Sequence, residues 1–414
     1  MRFIYDISIH IYSLFVYTAS FFNKKAKLFK KGRASIFHFL KQQIKQNPGD
    51  YIWFHCASLG ELERGRPLIE SIKNRFPKYK IIVSFFSPSG YEVRKKYEQA
   101  DIVCYLPFDT VSNAQKFIDI VNPKVVFFIK YEFWHHFLFT LKTKNIPTYL
   151  VSGIFRKSQI QFKSYGGFFL DTLKNFKHFF IQDEKSSTIL LDHGLSNHHI
   201  TGDTRFDRVA QVINEKKEID YIERFSNKST VIVYGSTWPA DEHIIAPIIN
   251  SKAALKHIIA PHEITETHLK SIETLLHKPF IRYSEIRATT HIENFQIIII
   301  DSIGILSHLY RYGHYAYVGG GFGKGLHNIL EAATFGIPIF FGPNYEKFNE
   351  AKELIHLKGA FSITNSNALN SVLENFQSNP QKKKACDEIN KSYVQSKRGA
   401  TQKILNYCIE QGDL

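Results

Sequence analysis

The feature that most narrows the fold of this chain is an alternation, met twice, of short apolar runs with helical patterns. In the first series the runs are 51–56, 80–86, 102–105, 124–129, 147–151 and 178–181. In the second they are 230–234, 256–260, 280–283, 296–300, 315–318 and 337–341. Buried runs of this kind, separated by stretches of helical periodicity, indicate parallel strands joined by crossover helices. Two Rossmann-like, doubly wound α/β domains are therefore expected, joined near 205–229, a polar stretch containing Asn214, Glu215, Lys216, Lys217 and Glu218. A chain of 414 residues is long enough for two buried cores. Ligands of such sheets bind beyond the carboxyl ends of the strands, here in a cleft between the domains.

The strand ends are where chemistry is expected. The run 315–318 ends in Gly319, Gly320, Gly321, Gly323 and Gly325, followed by an expected helix over 326–335 that carries Asn328 and Glu331 three apart, on one face. Gly336 can close that helix. Glycines let a ligand approach the backbone, and free N–H groups at a helix start favour a phosphate. A glycine-rich turn also occurs without any ligand, so the pattern alone leaves both readings open. Gly235-Ser236-Thr237, Pro261-His262 and Asp301-Ser302-Ile303-Gly304-Ile305 end further strands of the same half and suit one nucleotide. None is a GxGxxG or GxxxxGK[ST] motif, which argues against a dinucleotide or P-loop enzyme.

In the first half, His55-Cys56-Ala57-Ser58-Leu59-Gly60-Glu61 leads from the first strand into a helix. Glu61 falls in the first turn, aimed at the cleft, where a carboxylate can accept a proton from a substrate hydroxyl. It can equally be an acid that favours a helix start. Lys130-Tyr131-Glu132-Phe133-Trp134 offers Glu132 as a second cleft carboxylate or as half of an ion pair with Lys130. Arg205 offers a guanidinium fork to a phosphate or carboxylate, or serves as a hinge arginine.

The amino terminus adds a separate signal. Between residues 3 and 22 the chain is apolar and aromatic, yet Asp6, His10, Ser13, Tyr17, Ser20 and Lys24 recur at alternating intervals of four and three. That puts a polar stripe on one side of a helix, with Ile4, Ile7, Ile11, Leu14 and Phe15 opposite. Such a helix suits a membrane interface, or a span with its stripe against protein. Lys24, Lys25, Lys27, Lys30, Lys31 and Arg33 follow at once and would hold an anionic leaflet. The net charge of +15 fits an anionic partner. The basic residues lack the aromatic interleaving of a nucleic-acid module, so membrane and phosphate are the better candidates. No histidine spacing suits a metal site, and the four cysteines show no ligand or disulfide framework.

Taken in order, the motifs resemble the 3-deoxy-D-manno-octulosonic acid (Kdo) transferases of lipopolysaccharide assembly. The matching pieces are Ala57-Ser58-Leu59-Gly60-Glu61, Ser87-Pro88-Ser89-Gly90, Tyr105-Leu106-Pro107-Phe108-Asp109, Gly235-Ser236-Thr237, Val318-Gly319-Gly320, His327-Asn328-Ile329-Leu330-Glu331, and Phe341-Gly342-Pro343-Asn344 with Phe348-Asn349. The resemblance implies a GT-B fold: an amino-terminal membrane-associated helix and basic connector (1–50), an acceptor-side domain (51–207) and a nucleotide-donor domain (208–414). It implies transfer of Kdo from CMP-Kdo to the lipid A precursor, with inversion and without a metal or other cofactor. Glu61 matches the general base, and Glu132 and Arg205 match positions that stabilise the transition state. CMP contacts map to Pro261, His262, Ile303, Gly304, Ile305, Asn328, Ile329, Leu330 and Glu331, beside Gly235, Ser236 and Thr237. The implied location is the cytoplasmic face of a bacterial inner membrane, and the last helix is expected to pack back on the first domain.

This chain departs from the family at several of these places. Lys130 stands where the family commonly has a glutamate, and His262 where it has an arginine. Ile305 replaces an acid, Ile329 a proline, and Arg205 a lysine. Two other readings use the same scaffold: a GT-B transferase taking a UDP-sugar, and a non-catalytic membrane lipid-binding protein.

Overall fold

The computed structural model describes residues 1–414 except 216, 217, 227, 228, 253 and 324. Lys216 and Lys217 of the expected linker lie outside the described residues. The chain divides into two compact units, one of residues 1–208 with 398–414 and one of residues 209–397.

The first unit is built on a parallel sheet of seven strands in the order β3-β2-β1-β4-β5-β6-β7. These are β1 (Tyr51–Cys56), β2 (Lys80–Phe85), β3 (Ile102–Tyr105), β4 (Val125–Ile129), β5 (Thr148–Gly153), β6 (His178–Ile181) and β7 (His198–Ile200). All six residues of β1 are buried, because the sheet is covered on both faces. On one face Trp53, Phe117, Phe128 and Phe137 form a core with Ile36 and Leu40. On the other, Phe54, Leu62, Ile69 and Phe127 pack with Ile404, Leu405 and Cys408 of the last helix, Ala400–Glu410. That helix is fastened by Asp207, which accepts the amides of Gly399 and Thr401 at 2.6 and 2.7 Å.

Three helices precede β1: α1 (Arg2–Ala19), α2 (Lys24–Ala34) and α3 (Ile36–Gln46). In α1, Ile9 and Val16 are buried, and Tyr5, Asp6 and Tyr12 on the same side engage the first unit. The opposite side leaves Phe3, Ile4, Ile11, Leu14 and Phe15 at 60–74% exposure. The helix thus turns its mixed face inward and its most apolar face outward, the reverse of an ordinary surface helix. No described helix is long and apolar enough to cross a membrane.

The second unit carries a parallel sheet in the order β10-β11-β9-β8-β12-β13-β14. Its strands are β8 (Thr230–Thr237), β9 (Leu255–Pro261), β10 (Phe280–Arg282), β11 (Ile297–Ile299), β12 (Tyr315–Val318), β13 (Ile339–Phe341) and β14 (Ala360–Ser362).

Three expectations need correction. The strands β7 and β14 have no counterpart in the apolar runs, since each is three residues long and partly exposed. The expected linker holds two helices, Arg205–Asn214 and Ile222–Ser226; in the first, Phe206, Val209, Ala210 and Val212 are buried at helical spacing. The expected helix over 326–335 shrinks to Leu330–Ala333. The preceding residues fold back instead, with the Gly325 and His327 amides donating to Gly320 and Gly319 carbonyls. Gly336 does end the segment, at φ +68°.

Candidate active site

At the carboxyl end of β1 the chain turns through Ser58 into the helix α4 (Leu59–Arg75). Glu61 lies in its first turn, where the helix dipole favours negative charge. The Ser58 hydroxyl donates to Glu61 Oε2, leaving Oε1 for another donor. The β4 end is contorted: Lys130 takes φ +73°, a left-handed conformation that non-glycine residues adopt at a cost of about 1–3 kcal/mol. Burial, then Arg64, and also Arg205 push the Lys130 ammonium down to about 8, against the pull of Glu61 and Asp203. Glu61, Arg64, Lys130, Asp203 and Arg205 therefore form one charged neighbourhood at the carboxyl edge of the sheet.

Glu132 Oε2 accepts the indole N–H of Trp134 at 2.7 Å and lies 3.2 Å from His55 Nε2. It is not paired with Lys130 in any described salt bridge, so that alternative falls away. Arg205 opens its helix with Nε donating to Asp203 Oδ2 at 2.8 Å. Asp203 is 5% exposed. Burial works to raise its carboxyl pKa, but Arg205 and Arg64 outweigh it and hold the group below the usual carboxylate range.

In the second unit, the ends of β8 and β12 meet without room for side chains. A Cβ on Gly319 would lie 2.3 Å from the Ser236 carbonyl oxygen, and one on Gly235 would lie 2.0 Å from the Tyr310 hydroxyl. Ser236 itself takes φ +55°. The fully buried Asp241 holds this corner: Oδ2 accepts the Gly320 amide at 2.8 Å and the Trp238 amide at 3.0 Å, while Oδ1 accepts the Tyr317 hydroxyl at 2.7 Å. Asn328 donates to Glu331 Oε1 at 3.0 Å, so the two side chains expected on one face do meet. Ile329 and Leu330 are wholly buried, backbone and side chain alike. Pro261 ends β9, and the exposed His262 stacks against both Trp238 and His327, with ring centres 4.6 and 4.4 Å away, while Trp238 Nε1 donates to His327 Nε2 at 3.0 Å. Burial and His262 push the His327 imidazole down to about 4. Ile303 is 76% exposed beside Gly304, whose φ of +94° turns the loop before Ile305.

Sequence inspection missed His55, Ser84, Asp203, Trp238 and Asp241. Asp241 carried a signal, an acid in the first turn of the helix Pro239–Ser251. His55 and Ser84 carried none, since they interrupt buried strands like any tolerated polar residue. Among the described residues no group of three or more His, Cys, Asp or Glu side chains is arranged to hold a metal ion, and all four thiols are buried and outside disulfides.

Residues 31–208 match the family model described as 3-deoxy-D-manno-octulosonic-acid transferase. A relative of that name from Rickettsia bellii is 29% identical over 335 residues, 78% of each chain. Another from Chlamydia trachomatis serovar A is 24% identical over 379 residues, 88% of this chain and 86% of its own. In structure, the UDP-GlcNAc 2-epimerase of Neisseria meningitidis superimposes with a TM-score of 0.61 at 13% identity, covering 87% of this chain and all of its own. MurG of Acinetobacter baumannii does so with a TM-score of 0.52 at 12% identity, over 88% and 100%. At such identities these two speak for the fold alone. Family model, relatives and fold agree: the chain is a GT-B glycosyltransferase, and its relatives are the 3-deoxy-D-manno-octulosonic acid transferases.

Proposed function

We propose that this enzyme transfers Kdo from CMP-Kdo to a sugar hydroxyl of the lipid A precursor. The observation that carries the reading is Glu61. It stands in the first turn of α4, with Ser58 donating to one carboxylate oxygen and the other left for an acceptor hydroxyl. A base so held takes the proton as the hydroxyl attacks the anomeric carbon and CMP departs, which inverts that centre. Arg205, fixed by Asp203, and Glu132, fixed by Trp134, supply charges that need no reorganisation during the reaction. Cytidine and its phosphate are assigned to the corner formed by Gly235–Thr237, His262, Ile303–Ile305 and Asn328–Glu331. The names of the relatives support Kdo as the group transferred. The chemistry assigned to these side chains requires neither a metal nor an organic cofactor.

The same proposal places the protein on the cytoplasmic face of a bacterial inner membrane. The outward face of α1 supplies apolar anchors, and Lys24, Lys25, Lys27 and Lys31 stand exposed after it. Apolar burial and attraction to anionic lipid then act together.

The test is incubation of the purified protein with CMP-Kdo and a lipid A precursor, in parallel with UDP-sugars, followed by mass analysis of the lipid. A mass increase of one or more Kdo residues is expected. Transfer only from UDP-sugars, or no transfer from CMP-Kdo, overturns the reading.

A further inference from the structure

Glu132 is held by a hydrogen-bond chain that reaches it from inside the sheet. Trp53 Nε1 lies 2.8 Å from Ser84 Oγ, and Ser84 Oγ lies 2.8 Å from His55 Nδ1. His55 Nε2 in turn lies 3.2 Å from Glu132 Oε2. Trp53, His55 and Ser84 are each 0% exposed, so no water competes for these bonds.

The chemistry of the donors sets the direction of the chain. An indole N–H only donates, so Ser84 Oγ accepts from Trp53. Ser84 then has one proton to give, and His55 Nδ1 is there to accept it. A neutral imidazole whose Nδ1 accepts carries its proton on Nε2, facing Glu132. The opposite tautomer would set the Nε2 lone pair against a carboxylate oxygen at 3.2 Å, with one Trp134 N–H, 3.2 Å from Nε2 and 2.7 Å from Oε2, to serve both. Two facing acceptors that share one donor, one of them on a fully buried ring, cost more than the bond they replace.

We propose that His55 is the positioning residue of Glu132: held in its Nε2–H tautomer by Ser84, it donates to Oε2 and, with Trp134, fixes the orientation of the carboxylate. His55 is fully buried and does not touch substrate; it acts through Glu132. The proposal rests on the Kdo-transfer reading for its kinetic consequences but not for its geometry. Strand β1 therefore serves the site twice, delivering Glu61 at its end and steadying Glu132 from its interior.

The kinetic test uses the full chain in detergent with CMP-Kdo and a lipid A precursor, comparing His55→Phe, His55→Gln and Ser84→Ala. Loss of the partner that orients a metal ligand typically costs about 10–100-fold in activity, and a partner that orients a working carboxylate is expected to act on the same scale. His55→Phe is expected to lower kcat by about that factor with KM for CMP-Kdo unchanged. His55→Gln, whose amide can place an N–H near Nε2, is expected to restore most of it. Ser84→Ala should fall between them. Full kcat in His55→Phe, or His55→Gln as impaired as His55→Phe at an unchanged melting temperature, overturns the proposal. Histidine 15N NMR on the wild-type chain, with His55→Gln identifying the signals, reads the tautomer whether or not the protein turns over CMP-Kdo. The Nε2–H pattern is expected for His55, and the Nδ1–H pattern overturns the proposal. A wild-type chain inactive with CMP-Kdo but showing the Nε2–H pattern rejects the donor reading and leaves the positioning intact.

Discussion

The Tyr5 hydroxyl of α1 donates to Asp109 at 2.5 Å, across 104 residues of sequence. Asp109 is 1% exposed and also accepts the amides of His136 and Phe137, the start of the helix that follows Glu132 and Trp134. Burial raises the Asp109 carboxyl pKa against the effect of these donors. Farther along α1, Tyr12 stacks on Phe86, whose ring lies tilted against Trp134 with centres 4.7 Å apart. The outward-facing helix is thus packed against the start of the helix that follows Glu132 and, through Phe86, is linked to Trp134.

On the membrane attachment proposed above, removing residues 1–22 should do more than release the protein from membranes. Turnover of a detergent-dispersed acceptor should fall, while CMP binding to the second unit should persist. Calorimetric titration with CMP beside the detergent assay checks both; undiminished turnover would separate α1 from the site. Asp109→Ala, which strands two amides and a phenol, should cost about 3 kcal/mol of stability in a denaturant melt.

Glu61→Gln keeps the shape of the side chain and removes its basicity. Since general-base catalysis contributes about 10²–10⁴-fold, kcat should drop by that range with an unchanged melting temperature. A variant within tenfold of wild type would mean that the base is another group.

Asp203 gives a pH signature. Its carboxyl sits below its usual range because Arg205 and Arg64 outweigh burial. The folded state therefore binds this proton less readily than the unfolded chain. The stability it contributes is present above about pH 4 and is lost as pH falls through the depressed value. Asp203→Asn should be less stable at neutral pH and should lose part of the acid decline seen in the wild type. Parallel melting curves from pH 7 to 3 would show it; superimposable declines would contradict it.

Gly319→Ala should disable the corner proposed to hold CMP. The added methyl would sit 2.3 Å from the Ser236 carbonyl and 2.7 Å from the Thr237 Cα, both backbone atoms. Overpacking of this kind costs about 1–3 kcal/mol, and CMP affinity should fall with it. Gly323→Ala, with nothing within 4 Å of the new methyl, is the control and should bind normally.

Replacing Phe3, Leu14 and Phe15 by serine should release the protein from anionic vesicles, since each is more than 60% exposed and supports little of the fold. Activity in detergent should survive. Wild-type binding to the same vesicles should weaken as salt rises, because the lysines after α1 act through screened charge. Retention of the triple variant on vesicles in a flotation assay would place the anchor elsewhere.

What the sequence by itself determined is local. Apolar runs such as 51–56 and 315–318 mark strands because burial on both faces of a sheet demands unbroken hydrophobicity, and Ser58 to Glu61 reads as a helix start because capping chemistry acts within one turn. The outward apolar side of α1 was likewise legible in its spacing. Tertiary structure alone decided the rest. Gly320 is held by Asp241, 79 residues earlier, so the helix expected from Leu326 begins only at Leu330. Glu132 turns from Lys130 toward His55, 77 residues away. Short strands such as β7 exist only because a longer neighbour offers its edge. Hydrogen bonds between residues distant in sequence leave no periodic trace, yet in a dry site they outweigh local preference, because a buried polar group without a partner costs more than a shortened helix.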